Sequence, residues 1–270
     1  MSSTRGAPLD GPWPSNGDLL KARAFALLLV AAAPGVAAAA EVTVLCPRGM
    51  QHVVAAAAED FQRSTRHSVW MSYGTTGVVA GRALTEDADV VIASEGAVTE
   101  LEAKGAVRPG TRVVLGRVGI GVAVRAGARV PDVSTAEALR RAVLLAPSLG
   151  YEDPARGGPS GRHFGLVLER LAITPLVRPK TTLFPDGLRA LEALARGQIA
   201  LAVAPMSAIL GVDGLAPAGP LPGDLQQALV YAAGVMSRSA APDIAQAFLA
   251  HLTTSEARAR FKAGGVEPLH

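Results

Sequence analysis

Short apolar runs that end in loops of small residues, each loop opening a helix, recur along this chain. VTVLC (42–46) leads into PRG (47–49) and then a stretch to Arg66 with apolar positions at helical spacing. SVWMSYG (68–74) leads into GTTG (74–77) and a helix start in TTGVVAGRALTE. ADVVIAS (88–94) leads into ASE (93–95) and AVTELEAKGAV, a helix that ends at Gly105. SLGYED leads into the loop 153–161 of YEDPARGGPSGRH, ahead of the helix SGRHFGLVLERLAI. Strands that alternate with helices imply βαβ units and mostly parallel sheet, an α/β class. In such sheets the loops after the strands meet at a crevice, and helix N-termini there favour a small anion.

The second half continues the pattern. RVGIGVAVRAG (117–127) is strand-like, and STAEALRRAVL is a helix with Ser134 and Glu137 spaced as a capping box. DGLRALEALARGQ is a helix stopped by Gly197, IALAVAPMSAIL holds a strand and a turn, and ALVYAAGVMS (228–237) is another strand. The chain closes with helical segments from Ala241 and contains no internal repeat.

Lys21 and Arg23 precede AFALLLVAAAPGVAAAA, the order of a secretory signal, and cleavage after Ala40 would leave Glu41 first. Residues 1–40 are thus expected to be a signal region and the product periplasmic. The remaining 230 residues of the 270 suit one large domain or two lobes. Lys plus Arg number 26 against 23 Asp plus Glu, no case for nucleic acid, and 4% aromatics offer few stacking platforms. Cys46 stands alone, so no internal disulfide forms, and it reads as core. No Cys/His cluster has metal-ligand spacing, so neither metal nor cofactor is expected.

TVLCPRG, VWMSYGTTGVVAGRAL, ADVVIAS, VRAGARVPDVSTAEALRRAVL and SLGYEDPARGGPSGRHFGLVLERLAI, in this order, resemble the periplasmic substrate-binding proteins of molybdate-type ABC transporters. The resemblance covers essentially all of 41–270. It implies the two-lobed type II periplasmic-binding-protein fold: mixed, mostly parallel sheets flanked by helices, with a ligand cleft between lobes. Lobe one is expected over 41–116 plus 236–270 and lobe two over 117–235, with crossings near 115–120 and 229–235. The expected role is capture of a small anion, a molybdate-like oxyanion or a small carboxylate, by a monomer that delivers it to a membrane permease.

Under this resemblance the first-loop serine of the family aligns with Gly49, beside Arg48, and the second-loop serine with Thr75 or Thr76, next to Gly77. Ser94 takes the place of the alanine after the third strand, and the lobe-two loop aligns with Gly157–Gly161, including Gly158, Ser160 and Gly161. The family's tyrosine before the last crossing has no match in LAVAPMS, where Met206 and Ser207 stand. Arg48, facing inward, would suit a carboxylate through bidentate pairing. SLGYEDPARGGPSGRHF and GPLPGDLQQALVYAAG also resemble a branch that includes aconitate isomerase. A 1,3-proton shift needs a base near the substrate carbon and cations for the carboxylates. His163, Glu95 and Tyr73 are the proton-carrier candidates and Arg48 and Arg162 the clamps. A binding protein needs no proton carrier, and that simpler reading leads.

Overall fold

A computed structural model describes residues 39–269; the expected signal region therefore lies almost wholly outside the described residues. Among the described residues, ten strands fall into two five-stranded sheets. The first contains β1 (Glu41–Pro47), β2 (Ser68–Gly74), β3 (Val90–Ser94), β4 (Val113–Val118) and β10 (Leu229–Val235), in the order β2-β1-β3-β10-β4. The second contains β5 (Ile120–Arg125), β6 (Leu149–Glu152), β7 (Thr181–Phe184), β8 (Leu201–Pro205) and β9 (Leu215–Pro220), in the order β7-β6-β8-β5-β9. The two sheets share one plan. β1 runs parallel to β2 and β3, and β6 parallel to β7 and β8, while β10 and β5 run antiparallel to both neighbours.

Helices α1 (Gln51–Thr65), α2 (Thr76–Ala83), α3 (Glu95–Ala103), α9 (Pro242–Leu252) and α10 (Ser255–Ala263) belong to the first lobe. Helices α4 (Ala136–Leu145), α5 (Pro159–Arg170), α6 (Thr174–Val177), α7 (Gly187–Ala195) and α8 (Met206–Ile209) belong to the second. Buried Phe61, Phe248 and Phe261 form part of the first lobe's core, with the Phe61 and Phe248 rings edge to face at 5.2 Å. In the second lobe Tyr151 and Phe164 meet the same way at 5.1 Å. Each such ring contributes roughly 1.5–3 kcal/mol by leaving water. Cys46 is fully buried in β1, and burial pushes its thiol well above the usual range, as suits a core residue.

The chain crosses between the sheets twice, at Gly119 and over residues 221–228. Gln226 ties the crossings together: its Oε1 accepts from the Ile120 N–H at 2.9 Å, and its Nε2 donates to the Ile120 carbonyl at 2.9 Å. The sequence reading ended the second lobe at 235. Strand β10 pairs with β3 and β4, so 229–235 belong to the first lobe and the second crossing precedes them. Val118 likewise stays in the first sheet, opposite Leu229.

Two caps also differ from expectation. Thr135, not Ser134, caps α4 by accepting from the Ala138 N–H, while Ser134 donates to Asp132. Gly158, not Ser160, is the N-cap residue of α5; Pro159 fills the first helical position, where its missing N–H costs nothing.

Candidate functional site

Buried polar side chains are the informative ones, because each needs a partner or a purpose. Among the described residues they are Thr75, Thr76, Asp89, Glu152, Ser160, Asp186 and Ser207. Asp89 is structural: its carboxylate takes donors from Thr43, Ser239 and Ala241. The other six gather where the lobes meet. Arg48, Gly49, Thr75, Thr76, Glu152, Ser160, Asp186 and Tyr231 line one cavity of about 20 Å³ there. That is room for about one water molecule.

Each loop contributes by its place at the end of a strand. β1 delivers Arg48 and Gly49 in a short 3₁₀ turn. β2 delivers Thr75, which caps α2 by accepting from the Val78 N–H at 3.3 Å and donates across the cleft to the Arg156 carbonyl at 2.9 Å. β7 delivers Asp186, which caps α7 by accepting from the Arg189 N–H and pairs with Arg48 across the cleft at 2.9 Å. β8 leads to Ser207, which donates to the Gly49 carbonyl of the other lobe. Gly77 and Gly157 also meet across the cleft: a Cβ on Gly77 would lie 3.0 Å from the Gly157 carbonyl oxygen.

The stretch 151–163 is the most tightly built part. Asp153 caps a 3₁₀ turn over Pro154–Arg156 by accepting from the Ala155 N–H at 3.0 Å. Gly157 then turns the chain at φ +77°, a conformation that glycine takes without strain. α5 begins at Pro159, and its first turn faces an anion of the chain itself. The Glu152 carboxylate accepts from Ser160 Oγ at 2.8 Å and from the Gly161 N–H. A Cβ on Gly158 would stand 1.8 Å from that carboxylate, and one on Gly161 would stand 2.2 Å from the Glu152 carbonyl oxygen. These two glycines are required by the close approach of Glu152. Burial pushes the Glu152 carboxyl above its ordinary range; the Ser160 and Gly161 donors oppose this, Asp186 adds to it and Arg162 opposes it.

Tyr231 enters from β10, fully buried, with its hydroxyl bonded to the Thr76 side chain. Burial first, then the Glu152 charge, pushes this hydroxyl upward and keeps it protonated.

The sequence-predicted residues thus divide. Arg48, Gly49, Thr75, Thr76 and Ser160 line the cavity, and Gly77, Gly158, Gly161 and Ser207 adjoin it through the contacts above. Ser94 lies opposite Tyr231 in the sheet and makes no side-chain cap bond. Glu95 pairs with Arg112 at 3.2 Å outside the lining, and His163 Nε2 lies 2.7 Å from the Leu225 carbonyl. Neither alternative proton carrier is brought to the cleft. Tyr73 sits opposite Cys46, half-buried and pushed up to about 12, first of all by burial, with Arg48 opposing; Arg162 is exposed. Sequence reasoning missed Glu152, Asp186 and Tyr231. The YED and FPD triplets that end apolar runs were the available signals for the first two.

Several known proteins are similar to this chain. Aconitate isomerase from a Pseudomonas species is 28% identical over 255 residues, covering 91% of this chain and 95% of that protein. The periplasmic molybdate-binding protein of Azotobacter vinelandii matches with a TM-score of 0.67 at 17% identity, over 85% of this chain and 100% of that one. The sulfate-binding protein SubI of Mycobacterium tuberculosis matches with a TM-score of 0.64 at 17% identity, over 85% of this chain and 87% of that one. At such identities the two structures bear on the fold alone: two lobes, as in periplasmic binding proteins. The family model described as bacterial extracellular solute-binding protein matches residues 42–267, nearly the whole of both lobes, and the chain belongs to that family.

Proposed function

We propose that this chain is an exported receptor that closes its two lobes on a small carboxylate and passes it to an ABC-type membrane permease. The observation that carries the reading is the Arg48 guanidinium, 29% exposed at the cleft, with Nε on Asp186 at 2.9 Å and Nη1 reaching Gln51 at 3.5 Å. A guanidinium fork pairs bidentately with a carboxylate, and Asp186 is a carboxylate that already occupies it from the opposite lobe. A ligand carboxylate would replace Asp186 as the lobes part. The hydroxyls of Thr75, Thr76 and Tyr231 line the same cleft; Thr75 now donates to the Arg156 carbonyl of the other lobe, a bond that parting of the lobes would free. A thermal-shift screen tests this, because a ligand at 100 times its dissociation constant stabilises by about 2.7 kcal/mol. Succinate, malate and citrate are expected to raise the melting temperature of the wild type and to leave Arg48→Met unmoved. Equal shifts in both proteins would sink the reading. Export is checked by mass spectrometry of the mature protein, which should begin near Glu41.

A second reading has one observation in its favour. Glu152 is a buried carboxyl in the cleft, pushed toward neutrality, beside the Tyr231 hydroxyl. Such a group suits taking a proton from one carbon of an aconitate and returning it to the carbon two bonds away, with the double bond moving and the formula unchanged. Proton NMR of cis- and trans-aconitate with catalytic amounts of protein separates the readings. Interconversion that is lost in Glu152→Gln establishes the isomerase; two unchanged spectra leave the receptor.

A further inference from the structure

The geometry points to Glu152 as the residue that closes this cleft to tetrahedral oxyanions, because its carboxylate fills the anion cradle at the N-terminus of α5. This rests on the cleft being the ligand site. α5 spans 12 residues, so its first turn carries the partial positive charge and bare N–H groups that would attract an anion. Those donors are spent internally. Ser160 Oγ and the Gly161 N–H both go to Glu152. The carboxylate lies so close to Gly158 that even a methyl group has no room between them. Glu152 is 5% exposed and held within a buried cluster that includes Asp186. An oxyanion in lobe two would have to displace a covalently attached carboxyl that competes at very high local concentration. It would also face the Asp186 charge, since Arg48 is the one basic side chain in the cavity lining. Selectivity here is rejection by an occupant that already fills the cradle, in addition to attraction by Arg48.

Isothermal titration of wild type, Glu152→Ser and Glu152→Gln with molybdate and with sulfate tests the assignment, and succinate is titrated alongside. The wild type is expected to bind each oxyanion at least tenfold more weakly than the serine variant binds the better of the two. Glu152→Gln removes the charge and keeps the bulk, so its gain should be smaller than that of serine; it also serves if the serine variant fails to fold. Oxyanion binding by the wild type as tight as by the variants, or no gain in either folded variant, overturns the assignment. A wild type that ignores succinate while the serine variant gains oxyanion binding defeats the carboxylate reading alone and supports the role of Glu152.

Discussion

Glu152 is a buried carboxyl of the cleft, and its pH response has a definite sign. Its folded-state affinity for a proton is raised, chiefly by burial, above the ordinary value of 4.5. The folded protein therefore holds a proton that the unfolded chain has released, over the range from about 4.5 up to the folded value. The stability it lends is complete below that range and is lost as the pH rises through the folded value. Glu152→Gln does not titrate. The melting temperature of this variant, measured against wild type from about pH 4 to about pH 8, should gain on the wild type as the pH rises. A gap that stays constant across the range would show that Glu152 ionises as freely folded as unfolded. The groups facing it are Ser160, the Gly161 N–H, Asp186, Arg162 and Tyr231, so the response belongs to this cluster.

The strand–loop–helix units explain both what the sequence disclosed and what it hid. β1 (EVTVLCP), β2 (SVWMSYG) and β3 (VVIAS) are mostly β-branched, aromatic or otherwise apolar and lead into loops of small residues, so they and their loops are legible. β7 (TTLF) and β9 (LAPAGP) are edge strands, short or rich in proline, and an edge needs less apolar sequence than a buried strand. Without β7 there was no reason to see Asp186 as the fifth loop contribution. The glycines of 157–161 suggest a cradle for a foreign anion, but Glu152, whose neighbours in sequence look like a turn, occupies it. This yields a paired test. Gly158→Ala drives its new methyl into the Glu152 side chain, and Gly161→Ala drives its methyl into the Glu152 backbone. Each alone should cost about 1–3 kcal/mol by denaturant unfolding. Adding Glu152→Ser should restore most of the loss in the first case and little in the second. Equal rescue of both, or of neither, would mean that the collision is not with this side chain.

At the scale of the molecule, the described arrangement is closed. The cavity of about 20 Å³ cannot take an organic acid, so capture requires the lobes to part about Gly119 and 221–228. Among the described residues, the polar links that hold the closed form include Arg48 to Asp186, Thr75 to the Arg156 carbonyl, and Ser207 to the Gly49 carbonyl. Asp186 is the most instructive of these to change, because it has two separable roles. It caps α7, which asparagine does about as well, and it latches Arg48, which asparagine does without charge. Because Arg48 is partly exposed, the latch is worth no more than about 1 kcal/mol, a shift of roughly fivefold between open and closed forms. Asp186→Asn should therefore keep the wild-type melting temperature to within a few degrees. It should also bind succinate several-fold more tightly, since Arg48 no longer has to leave an ionic partner. Small-angle scattering supplies the independent readout. Without succinate the variant should have a larger radius of gyration than the wild type, and saturating succinate should bring the two to a common value. Weaker binding by the variant, with its radius unchanged, would show that Asp186 belongs to the ligand's own contacts and that the Arg48 pair is no latch.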